Sequence, residues 1–139
     1  MGQPMLNTET GYRRMFSIAA LYNLALGFDF LVLFSELMAV FDMPVPPREL
    51  AVFHQMAILL AMAFGVGYYM VSRDLYGQKG IVVIGAIGKM AVFLLFLYHF
   101  AFSGLHPFIF LIGVGDLVFV FLFLKFLAFA GSGAEPEQS

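Results

Sequence analysis

The 139-residue sequence contains no cysteine and no tryptophan. Without cysteine, disulfide bonds, thiolate metal sites, iron–sulfur clusters and cysteine nucleophiles are all excluded. Without tryptophan, an aromatic side chain at a membrane headgroup level has to come mainly from tyrosine. Charged residues are also scarce, at 12% of the chain, and the formal net charge is −2. Because no basic patch is available to neutralise phosphates, nucleic acid is not an expected partner.

Motifs for nucleotide binding and catalysis are missing as well. The glycines in GVGYYM (65–70) and GAIGKM (85–90) lack the GxGxxG order and the Walker GK[ST] ending. The sequence also has no GxSxG elbow and no HExxH pair. We therefore expect no catalytic residues and no enzymatic activity.

Apolar residues, by contrast, are abundant. They make up 62% of the chain, and the mean hydropathy is +0.93, which is incompatible with the polar surface that a soluble domain of this size requires. Runs long enough to cross a bilayer occur at four places, 15–41, 50–71, 81–102 and 107–129. The expected fold is all-α, an integral membrane bundle of four transmembrane helices in up-down-up-down order. Residues 1–14 are expected to form a polar N-terminal segment, and 130–139 a disordered tail.

Basic residues predict the orientation. Five of them flank one side of the expected bundle: Arg13, Arg14, Arg73, Lys79 and Lys125. The opposite side has only Arg48. By the positive-inside rule, both termini are expected to be cytoplasmic, in a multi-pass protein of the inner (plasma) membrane. The first helix is expected to act as an uncleaved signal anchor, because its apolar run is too long for a signal-peptide core.

Two charged residues fall within the expected spans. Lys89 lies about 12 Å inside the cytoplasmic boundary and Asp116 about 14 Å inside the opposite one, at 1.5 Å per residue. In a core about 30 Å thick, their backbones would differ in depth by only about 4 Å. The two helices are joined by a tight turn, so we expect an ion pair. Because the side chains lean in opposite directions, Asn23 or a water is expected to help bridge them.

This pair and the neighbouring small residues allow different roles. Lys89 and Asp116 can be a structural pair that fixes the register of the helices, part of a proton or ion relay, or a counter-ion for a ligand. Small residues recur on three helices: Ala57, Ala61 and Gly65, then Ala63 and Gly67, then Gly85 and Gly88, then Gly113 and Gly115. They are interpreted as close helix contacts or, alternatively, as thin walls around a pocket.

Other polar residues form two weaker patterns. Asn23, Asp29 and Glu36, together with Tyr22, are expected to make a polar stripe on the first helix. His54 and His99 are expected near the outer boundary, close to His106 and Glu36. These histidines are interpreted as interfacial residues, with a metal or a haem held between His54 and His99 as the alternative. Apart from this alternative, no metal site and no cofactor is expected.

The size of the chain, its short hairpin loops, its arginine-bounded first helix and the glycine-flanked charges of its later helices resemble those of small DoxX-like bacterial membrane proteins. The resemblance covers residues 13–129 and is architectural. It implies an accessory membrane subunit and assigns no site residue. We expect a small accessory or self-associating subunit of a larger membrane assembly, in contact with the lipid bilayer. The alternatives are a small transporter or proton-coupled carrier using Lys89, Asp116 and Asp29, and a haem- or quinone-binding redox subunit.

Overall fold

The computed structural model describes residues 8–132, which form helices and the turns that connect them. The helices are α1 (Glu9–Val32), α2 (Phe34–Val40), α3 (Ala51–Arg73), α4 (Lys79–Phe102) and α5 (Pro107–Gly131). A short 3-10 turn, Arg48–Leu50, leads into α3. Four of these segments, all except α2, are long and apolar enough to cross a membrane. The predicted fold class is therefore confirmed, and the chain is a multi-pass membrane protein in contact with lipid.

The first span is shorter than the sequence predicts. The apolar run 15–41 was expected to be one helix, but it is divided at Leu33, whose backbone leaves the helical conformation (φ −107°, ψ 27°). No proline or glycine lies at this point, so local propensity does not explain the break. The contacts of α2 do, because Phe34 stacks on His54 of α3 and Phe41 packs against His106.

The two ends of the bundle domain also differ from their predicted limits. Helix α1 begins at Glu9, within the expected polar segment, because the Thr8 hydroxyl caps it by accepting a hydrogen bond from the Gly11 N–H at 3.1 Å. At the other end, α5 continues to Gly131, so the start of the expected disordered tail is helical. The rest of that tail lies outside the described residues.

The long helices are arranged as two closely packed pairs. Helix α1 packs mainly on α3, and α4 packs mainly on α5. Between the pairs, α3 and α4 approach each other chiefly next to their connecting loop, where a β-carbon on Gly67 would lie 3.0 Å from Ile81. Helices α1 and α5 meet through large rings, such as those of Phe16 and Phe123, whose centroids are 5.1 Å apart.

The buried core lies at one end of the bundle, which we call the packed end. It combines the first half of α1, the end of α3, the α3–α4 loop, the start of α4 and the second half of α5, with side chains that include Tyr12, Phe16, Val71, Leu75, Phe123 and Phe126. At the opposite end, which we call the open end, the two pairs separate from each other, while the helices within each pair stay in contact. The space between the two pairs is the cavity described next.

Candidate functional site

The open end contains a cavity of about 550 Å³. All four long helices and α2 contribute to its wall, which is mostly apolar. Along α3 the lining extends from His54 to Tyr68, which is roughly 21 Å at 1.5 Å per residue. The cavity is therefore large enough and long enough to hold an elongated small molecule inside the membrane.

Polar groups line the cavity where it meets the packed end. Lys89 of α4 and Asp116 of α5 both line it, and they are only 5% and 8% exposed. The Lys89 ammonium donates to Asp116 Oδ1 and, at 2.9 Å, to the side-chain oxygen of Asn23. Each charge therefore has a partner, which is what a buried ion pair requires.

Asn23 connects three helices at this point. Its side-chain oxygen accepts from Lys89, while its amide nitrogen donates to the Ala61 carbonyl at 2.8 Å. The residue thus links α1 to both α3 and α4. A carbonyl inside a helix normally bonds its own helix, so this extra hydrogen bond is a specific contact between α1 and α3. The sequence singled out Asn23 as a possible bridge, and in the structure it adds to a direct contact between Lys89 and Asp116.

Three aromatic rings surround the lysine ammonium. The Nζ atom lies 5.3 Å from the ring centroid of Tyr22, 5.5 Å from that of Tyr68 and 5.2 Å from that of Phe119. All three distances are within the range of cation–π attraction. The rings thus attract the ammonium without adding another ion to the site. We call Lys89, Asp116, Asn23, Tyr22, Tyr68 and Phe119 the polar cluster.

Glycines make room for the tyrosine rings of the polar cluster. A β-carbon on Gly85 would lie 2.7 Å from the Tyr68 ring, and one on Gly115 would collide with the Tyr22 hydroxyl. The Tyr22 hydroxyl donates to the Ile112 carbonyl at 2.7 Å and so ties α1 to α5. These two glycines are therefore required by the approach of a ring, and they stand one turn before Lys89 and one residue before Asp116.

One hydroxyl of the polar cluster, that of Tyr68, has no hydrogen-bond partner among the described residues. Tyr68 is 1% exposed and lines the cavity, and its hydroxyl makes no hydrogen bond to any other residue in the described part of the chain. Because Tyr68 lines the cavity, a molecule there can supply a hydrogen bond that the described residues do not. The Tyr68 hydroxyl is therefore the group of the polar cluster that is available to bind such a molecule.

The small residues that were predicted to bring helices together occupy two different environments. Gly65 is buried, and a β-carbon there would lie 3.3 Å from the backbone oxygen of Ala20, so α1 and α3 touch closely at this point. Ala57, Ala61 and Gly88 instead line the cavity. The same stripe of small residues thus provides close packing at one level and open space at another.

The expected polar stripe on the first helix is not formed. Asn23 faces the other helices, whereas Asp29 and Glu36 are both exposed. Asp29 lies one turn before the end of α1, where the bundle is open, and Glu36 belongs to α2, beyond the break at Leu33. For Glu36, the expected phase assumed one continuous helix, and the break removes it. Glu36 accepts a hydrogen bond from its neighbour Ser35.

The histidines are not brought together either. His54 lines the cavity and stacks on Phe34 with a centroid distance of 4.0 Å, and its Nδ1 is buried without a described partner. His99 is exposed, and His106 caps α5 by accepting from the Phe108 N–H at 3.2 Å. Within residues 8–132 there is no group of three His, Cys, Asp or Glu side chains that could hold a metal. His99 does not line the cavity, so the histidine pair that a haem would need is not assembled there.

Sequence reasoning missed Tyr68 and Phe119 of the polar cluster, and it offered a pocket only as the alternative to close helix contacts. The glycine one turn before Lys89 is a signal that could have indicated a ring packed there. No local pattern identifies which ring it is, because Tyr68 comes from a different helix.

Comparison of the chain with protein-family models, with curated proteins and with solved structures found no match. The fold and the site define a class nonetheless, which is a multi-pass helical membrane protein with a partly open apolar cavity that ends at a buried cluster of polar side chains. Its function is inferred from that cavity.

Proposed function

We propose that this protein binds a neutral, lipid-soluble small molecule within the membrane, with the molecule's polar head at the polar cluster and its apolar part along the cavity. The observation that carries the proposal is the continuity of the apolar cavity with Lys89, Asp116 and the unpartnered hydroxyl of Tyr68. Pockets of this kind bind through apolar contacts and use a few polar groups to orient the ligand.

The charge of the cluster favours a neutral ligand. Lys89 and Asp116 already neutralise each other, so an ion entering the cavity would remain uncompensated in a medium of low dielectric constant. A carbonyl or hydroxyl oxygen carries no such cost. It can accept a hydrogen bond from the Tyr68 hydroxyl, and a hydroxyl can also donate to Asp116. The class of ligand therefore includes quinones and lipid alcohols, which carry one or two oxygens on an apolar body.

Binding can be tested by analysing what the protein retains. Gly88 lines the cavity, and a β-carbon there would have no described atom within 4 Å. Gly88→Leu should therefore fill part of the cavity without displacing a neighbour. Native mass spectrometry and organic extraction of the purified protein should recover a neutral lipophilic molecule from the wild type and much less of it from Gly88→Leu.

The same helix offers a matched control. Gly80 also has no described atom within 4 Å of its β-carbon position, but it is exposed and does not line the cavity. Gly80→Leu should retain the molecule as the wild type does. If both variants retain it equally, it does not occupy the cavity and the proposal is wrong.

We also propose that both termini are cytoplasmic, because five of the six basic residues near loops lie on that side. The native chain has no cysteine, so single cysteines report the orientation directly. An impermeant thiol reagent applied to intact cells should label a cysteine at Val45 and should not label one at Gln78. The opposite pattern would reverse the orientation.

The roles as an accessory subunit, an oligomer or a carrier remain predictions, as does the resemblance to DoxX-like proteins. A bound lipophilic molecule is compatible with a subunit of a membrane assembly. Native mass spectrometry of the wild type, in the same experiment, would also reveal co-purifying subunits.

A further inference from the structure

A second pocket lies at the packed end, on the surface between α1 and α3. Its volume is about 460 Å³, and three arginines line it: Arg13, Arg14 and Arg73. We call this pocket the arginine groove. It is separate from the cavity, because none of its lining residues lines the cavity.

Two of the arginines are unpaired. Within residues 8–132 the one ion pair is that of Lys89 and Asp116, so no described carboxylate neutralises Arg14 or Arg73. Both residues are exposed, and their guanidinium groups donate no hydrogen bond to a described residue. A nearby carboxylate, Asp74, accepts from the Gly77 N–H in its own turn.

The third arginine, Arg13, offsets the negative end of the α3 helix beside the groove. The last carbonyls of a helix carry partial negative charge, which would repel an anion at the end of α3. Arg13 donates to the carbonyls of Ser72 and Arg73, each at 3.0 Å, and so satisfies these acceptors. Arg14 and Arg73 are then free to face a ligand of opposite charge.

The groove continues from the arginines onto an apolar surface. Ile18 lines it one turn after Arg14 on α1, and Tyr69 lines it one turn before Arg73 on α3; they are 60% and 54% exposed. Both helices are candidate membrane spans, so these side chains are placed to contact lipid. The arginine groove is therefore cationic at one end and apolar at the other. A phospholipid has the matching arrangement, with a phosphate followed by acyl chains.

We propose that the arginine groove binds the head of an anionic phospholipid, with its phosphate between Arg14 and Arg73 and its acyl chains along the exposed faces of α1 and α3. Guanidinium groups bind phosphate oxygens through paired, charge-assisted hydrogen bonds, so arginine suits this role better than lysine does. This site is independent of the ligand proposed for the cavity.

The test uses the full-length protein in mild detergent, titrated with phosphatidylglycerol or with phosphatidylcholine of the same acyl chains. Native mass spectrometry should show one phosphatidylglycerol bound more tightly than phosphatidylcholine. The double variant Arg14→Gln with Arg73→Gln should bind phosphatidylglycerol on the order of tenfold more weakly, since it loses charge-assisted hydrogen bonds. Arg13 is left unchanged because it caps α3.

Two further variants serve as controls. Arg48→Gln removes an exposed arginine in the turn at the open end and should leave binding unchanged. Arg14→Lys with Arg73→Lys keeps both charges but loses the planar donor pairs, so its affinity should fall between those of the wild type and the glutamine variant. If the glutamine variant loses helix content by circular dichroism, the comparison of the lysine variant with the wild type decides.

Three results would overturn the proposal. One is equal affinity of the wild type for the two lipids, which would indicate only annular contact. Another is unchanged affinity for phosphatidylglycerol in the arginine variants. The last is arginine-dependent binding of inorganic phosphate without any binding of phosphatidylglycerol, which would identify the ligand as a free phosphate rather than a lipid.

Discussion

The packed end and the open end of the bundle use similar side chains with different results. At the packed end, aromatic side chains fill the space between the helices, and Phe16, Phe123 and Phe126 are fully buried. At the open end, Phe30 and Phe96 line a cavity instead of filling it. Large apolar residues are not lacking there, so the cavity does not result from a shortage of bulk.

The comparison shows what keeps the open end open. Between helices in lipid, hydrophobicity provides little attraction, and association depends on close packing and hydrogen bonds. The hydrogen bonds of Asn23, Tyr22 and Lys89 join all four long helices where the two ends meet. With the two pairs fixed at that level and packed together on one side of it, they can remain apart on the other side, around the cavity.

The largest expected effect comes from the ion pair between the two ends. Lys89→Met or Asp116→Leu alone leaves one buried charge without a partner, and each should lower the free energy of unfolding by about 3–5 kcal/mol. The double variant should lose much less, because it leaves no charge unpaired. Denaturant unfolding in detergent measures all three variants. Strictly additive losses would show that the two residues do not interact.

The double variant also separates structure from binding. It should fold with a yield close to that of the wild type, yet retain less of the molecule extracted from the cavity, since the head group loses its polar partners. Full retention by the folded double variant would mean that the charges only support the fold.

A smaller effect should distinguish the packed core from the lipid-facing surface. Phe123 and Phe121 lie on the same helix, but Phe123 is fully buried and Phe121 is exposed. Phe123→Ala should reduce the free energy of unfolding by roughly 2 kcal/mol, because it opens a void whose lining loses packing contacts. Phe121→Ala should change it by less than about 0.5 kcal/mol. Similar losses for the two variants in a denaturation experiment would show that this end is not packed as described.

Tyr68→Phe should affect binding more than stability. The ring stays beside Gly85 and Lys89, so the free energy of unfolding should change by no more than about 0.5 kcal/mol. The ligand loses one hydrogen bond, which should weaken its retention by up to about tenfold. The difference can be measured by adding a competing ligand of the same class, such as a soluble quinone, and comparing how readily it displaces the retained molecule from the wild type and from Tyr68→Phe. Unchanged retention would mean that the hydroxyl does not contact the ligand.

The smallest effect is expected for Tyr12→Phe at the packed end. The Tyr12 hydroxyl is buried and has no hydrogen-bond partner in the described part of the chain. Removing it should leave stability unchanged or raise it by up to about 1 kcal/mol, since an unsatisfied group disappears. The melting temperatures of Tyr12→Phe, Tyr68→Phe and the wild type, measured side by side, test this expectation. A clear loss of stability would show that the hydroxyl has a partner after all.

The four spans could be predicted from the sequence because each apolar run is long and is bounded by proline, glycine or charge. The break at Leu33 could not be predicted, since local propensity does not explain it. It is accompanied by contacts of Phe34 with His54 and of Phe41 with His106, which lie far away in the sequence. Helix depth and the tight turn between α4 and α5 suggested that Lys89 and Asp116 meet, and the structure places them in contact.

Whether the small residues line a cavity or make close contacts could not be decided from the sequence, for a different reason. The volume of the cavity depends on how far the two pairs of helices separate, which is a property of their tertiary arrangement and not of any one segment. Small residues such as Gly88 are ambiguous for the same reason, because a glycine allows either a close contact or an empty space. Only the positions of the neighbouring helices decide between the two outcomes.

The most direct test of the account is whether a ligand in the cavity stabilises the protein. Wild type and Gly88→Leu should be stripped of lipid, and a neutral lipid extract from the host membrane then added back while the melting temperature is recorded. The extract should raise the melting temperature of the wild type and of Gly80→Leu, since a ligand that binds only the folded state stabilises it, and it should have little effect on Gly88→Leu. An equal rise in all three would contradict the proposal, because the stabilising molecule would then act outside the cavity.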